Sequence, residues 1–118
     1  MARVLVADDN AALLANVGQS LRDAGHLVTS TNNGADAICL LETKPDLLLL
    51  DLRMPGTDGL TVLHSLPDPP PPVIVMTGTG IDAVELLGGK VRRVLAKPFG
   101  EKELLAAVRD ALTSEVCP

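Results

Sequence analysis

Apolar residues along this chain fall into two alternating kinds of block. Leu27 to Thr31 reads as a short strand, and Arg3 to Ala7, the four leucines at 47–50, Val73 to Thr77 and Val91 to Ala96 are short apolar runs of strand length. Continuous apolar runs of this length, closed by Gly, Pro or Asp, mark strands covered on both faces. Between them the apolar positions recur at helical spacing. Leu13, Leu14, Val17, Leu21 and Ala24 share one face of a helix that Asn10 caps and Gly25 ends. Asn33-Gly34 opens a second helix, with Ala37, Ile38 and Leu41 inward, closed before Pro45. A short third helix from Thr57 or Asp58 carries Leu60, Leu63 and Leu66, and another near residues 82–88 ends at Gly88-Gly89. The last helix, about residues 101–114, places Leu104, Leu105, Val108 and Leu112 on one stripe. The pattern predicts (βα)5 in strict alternation, an α/β fold whose five-stranded parallel sheet has helices on both faces. Pro67 to Pro72 is the one biased segment; its place inside the alternation reads as a stiff surface loop rather than a polyproline docking motif or a domain linker.

Composition narrows the picture. The 118 residues fit one domain, and the apolar fraction is 47% with no Trp, no Tyr and a single Phe. The core is therefore built from Leu, Val, Ile and Ala. A net charge of −5 argues against direct nucleic-acid binding or an anionic membrane surface. No apolar run approaches the ~20 residues of a membrane span, and the start lacks the long apolar stretch of a signal peptide. Cys39 and Cys117 have no second Cys or His at ligand spacing, so neither a disulfide framework nor a zinc site is indicated and a cytoplasmic location is expected.

The chemistry lies where the strands end. The four leucines stop at Asp51, and Met54-Pro55-Gly56 follows at once. Alone, Asp51 reads as the start of a turn. The first strand, however, ends at Asp8-Asp9, the fourth at Thr77 and the fifth at Lys97. Parallel strands bring these ends to one edge of the sheet, where open α/β folds hold their ligands. Close carboxylates repel by roughly 1–4 kcal/mol per pair, and a divalent cation makes such a cluster tolerable. Oxygen-only ligands favour Mg²⁺ or Mn²⁺ over Zn²⁺. Thr77 and Lys97 both donate hydrogen bonds, which suits a phosphoryl group, and an Asp in such a site can be its nucleophile.

This constellation resembles the receiver (phosphoacceptor) domain of two-component response regulators, over essentially the whole chain. The resemblance rests on Asp8-Asp9, on Asp51 to Gly59, on Met76-Thr77-Gly78 and on Lys97-Pro98-Phe99. It implies a CheY-like, flavodoxin-like doubly wound sandwich. It also implies that Asp51 accepts phosphate from the phosphohistidine of a sensor histidine kinase or phosphotransfer protein. Asp9 would ligate Mg²⁺ directly and Asp8 mainly through water, with the Arg53 backbone carbonyl as a further ligand. Thr77 would move to hydrogen-bond the phosphoryl group, and Lys97 would pair with it. The Lys97-Pro98 bond is cis in the family, which only X–Pro bonds adopt cheaply. Such a domain is not an enzyme on external substrates; it catalyses only its own phosphorylation and dephosphorylation. The phosphorylated surface near the helix at 82–88 and the fifth strand would engage a downstream protein, a homodimer being one mode.

Departures from the family pattern are informative. The position three residues before Lys97 is usually aromatic and is Val94 here, so coupling of Thr77 to the surface is expected to differ. Arg53 and Thr79 occupy the positions that affect phosphate lifetime; neither is a strong base, which predicts a long-lived phosphate. A haloacid-dehalogenase-like phosphatase needs a second Asp two residues after the nucleophile, and Arg53 stands there. A phosphorylation-independent receiver-like module is the other alternative, although such domains lose part of the acidic pair, acceptor and lysine that this chain keeps. A nucleotide site is weaker, for no G-x-G-x-x-G follows the first strand and Gly89-Lys90 lacks a P-loop. His26 and His64 read as solvated, Cys39 as helix packing and Asp58 as a helix cap; Arg92-Arg93 is too short for a nucleic-acid patch. With no room for an effector after residue 114, the chain reads as a stand-alone receiver or one cut from a longer regulator.

Overall fold

The computed structural model describes residues 2–52, 59–67, 69–78, 91 and 93–113. Five strands, β1 (Arg3–Ala7), β2 (Leu27–Thr31), β3 (Leu47–Asp51), β4 (Val73–Thr77) and β5 (Arg93–Ala96), form one sheet in the order β2-β1-β3-β4-β5. Every neighbouring pair is parallel. Among the described residues the helices are α1 (Ala11–Asp23), α2 (Gly34–Leu40), α3 (Gly59–His64) and α4 (Glu101–Thr113), with a 3-10 turn at Leu41–Thr43.

Strand alternation sorts the core into two layers. Val4, Val6, Leu47, Leu49, Ile74, Met76 and Leu95 pack beneath α1 and α4. Leu5, Ala7, Leu48, Leu50, Val73 and Val75 pack against α2, the 3-10 turn and α3. All four leucines of β3 are fully buried, which is why its sequence is continuously apolar rather than alternating. The sheet with helices on both faces is thus the arrangement expected from the pattern.

Local signals explain the helix ends. The Asn10 side chain accepts the Leu13 N–H at 3.1 Å, and Asn33 accepts that of Asp36 at 2.8 Å. After α1, Gly25 takes a positive φ of 94° and its N–H bonds the Arg22 carbonyl. Four expectations need correction. Leu66 is not carried by α3, which ends at His64, although it still packs against the core. Ala24 does not join the buried face of α1; it is the exposed cap residue, already past the last helical turn. The fifth strand begins at Arg93, where pairing with Ile74 starts, rather than at Val91. The buried centre of α4 is Leu104, Ala107, Val108 and Ala111, with Leu105 and Leu112 only partly covered. The alanines let this helix sit close to the sheet. The starts expected for α3, the helix near 82–88 and its Gly88-Gly89 stop lie outside the described residues.

Candidate functional site

The chain runs outward from β1 to β2 and then returns to place β3 on the other side of β1. That reversal opens a crevice beyond the carboxyl ends of β1 and β3. Register fills it. Ala7 lies opposite Leu50, so Asp8 and Asp51 are the next residues on adjacent strands. Val4 and Val6 face α1 and α4, as do Leu47 and Leu49, so alternation points Asp8 and Asp51 to that same side. Leu95 faces it too, and two residues on is Lys97. Thr77 pairs with Ala96 at the end of β4, and its carbonyl accepts the Lys97 N–H at 2.8 Å.

Asp8 is wholly buried and Asp51 nearly so, at 0% and 5% exposure. A buried carboxylate is costly unless its oxygens are bonded and its charge is met. Asp8 Oδ1 accepts the Asn10 backbone N–H at 2.9 Å, and Oδ2 accepts from Lys97 Nζ at 2.7 Å. Lys97 Nζ also reaches Asp51 Oδ2, at 3.3 Å. Partial burial alone would lower the Lys97 pKa. The hydrogen bond and charge of Asp8, followed by those of Asp51, more than reverse this and hold the ammonium above its ordinary value. Among the described residues no buried side-chain oxygen or nitrogen is left without a partner.

Asp9 completes the cluster from an exposed position: carboxylate oxygens of Asp8, Asp9 and Asp51 all lie within 4.8 Å of one another. Among the described residues three carboxylates gather around the Lys97 ammonium. Hard oxygen donors at this separation, part buried and part open to water, fit a hard divalent cation that keeps some of its waters.

The structure therefore gathers Asp8, Asp9, Asp51 and Lys97 into one pocket edge and sets Thr77 at the neighbouring strand end. Arg53, Asp58, Thr79, Arg92 and Cys117, and the turn at Met54-Pro55-Gly56, lie outside the described residues. The Lys97-Pro98 peptide is cis, as expected. Val94 is half-buried and pairs with Val75. His64 is exposed as expected, but His26 is not simply solvated: it is partly buried, and its Nδ1 accepts the Ala2 N–H at 3.2 Å. Cys39 does not pack; it is exposed on α2 while Ile38 beside it turns inward. The site also uses groups that residue-type reasoning missed. The Asn10 amide holds Asp8 Oδ1, and the Thr31 carbonyl accepts the Asp8 N–H at 3.1 Å. Both act through the backbone, so side-chain identity carries no signal for them.

With this geometry in view, residues 4–109 match the family described as the response regulator receiver domain. The transcriptional regulatory protein PrrA of Mycobacterium leprae (strain TN) is 37% identical over 115 residues, covering 93% of this chain and 49% of that protein. The chain spans about half the length of the curated relatives it matches. The crystal structure of a signal receiver domain from Vibrio parahaemolyticus superposes with a TM-score of 0.87 at 30% identity, covering 96% of this chain and 91% of that one. The chemotaxis protein CheY4 of Vibrio cholerae shares the fold, with a TM-score of 0.86 at 24% identity over 95% of this chain and 99% of its own.

Proposed function

The chain belongs to the response regulator receiver domain family, and on that premise we propose that Asp51 is its phosphoacceptor. An Asp51 carboxylate oxygen attacks the phosphorus of a phosphohistidine on a histidine kinase or phosphotransfer protein. A P–O bond forms as the P–N bond breaks, and the imidazole nitrogen keeps the electron pair and takes up a proton. The product is an acyl phosphate on Asp51. The observation that carries this reading is the convergence of Asp8, Asp51 and Lys97 at one strand-end crevice, with Lys97 Nζ 2.7 Å from Asp8 and 3.3 Å from Asp51.

Transfer of this kind needs positioning and charge neutralisation more than covalent machinery. Burial fixes the Asp51 carboxylate at the floor of the crevice. Lys97, held protonated by its two carboxylates, can move its hydrogen bonds from Asp51 to an arriving phosphoryl oxygen. Thr77 contributes a hydroxyl donor from the end of β4. Asp8, Asp9 and Asp51, with the Arg53 carbonyl, would hold Mg²⁺ or Mn²⁺. Such an ion, when bound, neutralises charge on the phosphoryl oxygens.

In this reading the chain acts only on its own carboxylate and turns over no external ester. It works in the cytoplasm, and the phosphorylated form presents the surface near residues 82–88 and β5 to a downstream protein or a second copy. Val94 in place of a large ring alters how Thr77 communicates with that surface. Intact-protein mass spectrometry after incubation with acetyl phosphate and Mg²⁺ tests the proposal. A gain of one phosphoryl group is expected, absent in Asp51→Asn and in EDTA. No gain, even with a phosphorylated kinase as donor, would favour a phosphorylation-independent interaction module.

A further inference from the structure

Asn33 caps α2, and the residue after it is Gly34. Of the four asparagines in the chain, Asn33 alone precedes a glycine. That pair has a chemistry of its own. Glycine has no Cβ to crowd its backbone nitrogen, which can therefore attack the carboxamide carbon of the asparagine before it. The Gly34 N–H proton passes to hydroxide and the N–Cγ bond forms. The Cγ–Nδ2 bond then breaks, and ammonia leaves with a proton taken from water. Water opens the five-membered imide on one side or the other, leaving aspartate or isoaspartate at position 33. No oxidant or second substrate is needed.

The fold opposes each part of this reaction. The Asn33 backbone is extended, at φ −150° and ψ 158°. Ring closure needs the Gly34 nitrogen turned toward the Asn33 side chain about the Cα–C bond, and this ψ holds it away. The carboxamide is also held from three directions. Its Oδ1 accepts the Asp36 N–H at 2.8 Å, and its Nδ2 donates to Asp36 Oδ2 at 3.0 Å and to Asn32 Oδ1 at 3.1 Å. Both amide hydrogens are thereby engaged, so Cγ cannot turn to meet the nitrogen without breaking these bonds. The Asn33 carbonyl accepts the Ala37 N–H at 3.2 Å, and Gly34 is buried beneath the turn. The Asp36 side chain is exposed, so it can be changed without opening the core.

We propose that Asn33 is a deamidation site held closed by the cap of α2, with the Asp36 carboxylate as its guard. The reaction proceeds only from molecules whose first α2 turn has opened, and a seven-residue helix opens at its end well before the domain unfolds. Once it occurs, the turn does not close as before. The aspartate product sets a carboxylate against Asp36 where an N–H donor stood, and the isoaspartate product adds a methylene to the main chain between β2 and α2. Thr31, two residues back, holds the Asp8 N–H on its carbonyl at 3.1 Å, so the altered loop adjoins the crevice.

Ageing the intact protein in mildly alkaline buffer, with mass-spectrometric peptide mapping of amide-to-acid conversion at position 33, tests this. The folded protein is expected to convert at least roughly ten-fold more slowly than the same chain unfolded in urea. Asp36→Ala should speed conversion in the folded protein roughly ten-fold, the factor for one hydrogen bond to a charged group. Asp36→Asn keeps an acceptor for Asn33 Nδ2 and should stay near the rate of the unsubstituted protein. In urea all three chains should convert alike, which separates a guard built by the fold from an effect of the neighbouring residue on the chemistry. Equal rates in folded and unfolded protein would overturn the proposal. So would equal acceleration by Asp36→Ala and Asp36→Asn, or an acceleration by Asp36→Ala that persists in urea.

Discussion

Among the described residues of the crevice, Asp9 carries the least compensated charge. Its carboxylate lies within 4.8 Å of those of Asp8 and Asp51, while the bonds from Lys97 go to those two alone. In metal-free protein, Asp9→Asn removes a repulsion without leaving a buried group unpaired. It is expected to raise Tm by about 2–4 °C in EDTA, measured by thermal melting. The same substitution should weaken stabilisation by Mg²⁺, and a lower Tm in EDTA would contradict this account. His26 provides a residue-scale pH test. Burial disfavours its charged form, so the folded pKa lies below the ordinary value. The folded protein then binds fewer protons than the unfolded chain, and the associated stability is complete above about pH 6.5 and lost as pH falls through the folded pKa. Urea midpoints should therefore drop between about pH 7.5 and 5.5, and His26→Gln should flatten that slope. An unchanged slope would assign it to other groups.

At the scale of elements, the strands and helices were largely legible because their signals are local. Four leucines in a row, an Asn before a helical stripe and a Gly after it each fix one piece of backbone. The stripe of large side chains on α4 omits Ala107 and Ala111, although both are buried. What makes them core is the nearness of the sheet, which no single-segment pattern contains. Gly18 of α1 is a parallel case: it is buried, and a Cβ added there would meet Arg22 Nη1 at 3.1 Å and Val28 Cγ1 at 3.8 Å. The nearer atom is the end of a flexible side chain that can swing aside. Gly18→Ala is therefore expected to stabilise the protein by about 0.5–1 kcal/mol through helix propensity, read from the urea midpoint. A loss of stability would mean that Arg22 cannot yield.

For the whole molecule, two core layers hold one sheet, and the sheet edge holds the charge. Among the described residues no helix is long and apolar enough to cross a membrane. A ligand that binds only the folded state stabilises it by mass action, about 2.7 kcal/mol at a hundred times its Kd. Mg²⁺ should accordingly raise Tm by several degrees in proportion to the logarithm of its concentration, with EDTA reversing the effect. Asp51→Asn should blunt the rise, and an equal rise in that variant would place the ion elsewhere.

By itself the sequence determined the alternation of elements, the parallel character of the sheet and the strand ends at Asp8, Asp51, Thr77 and Lys97. These follow from periodicity and from breakers that act within a few residues. Tertiary structure decided who meets whom. The order β2-β1-β3-β4-β5 and the register of Ala7 with Leu50 set Asp8 beside Asp51. They also bring Lys97 closer to Asp8 than to Asp51, a preference no spacing rule contains. The Asn10 amide and the Thr31 carbonyl joined the site through backbone groups that every residue type carries. Such pairings depend on three-dimensional register between distant segments, and a linear pattern of hydrophobic and polar positions leaves that register open.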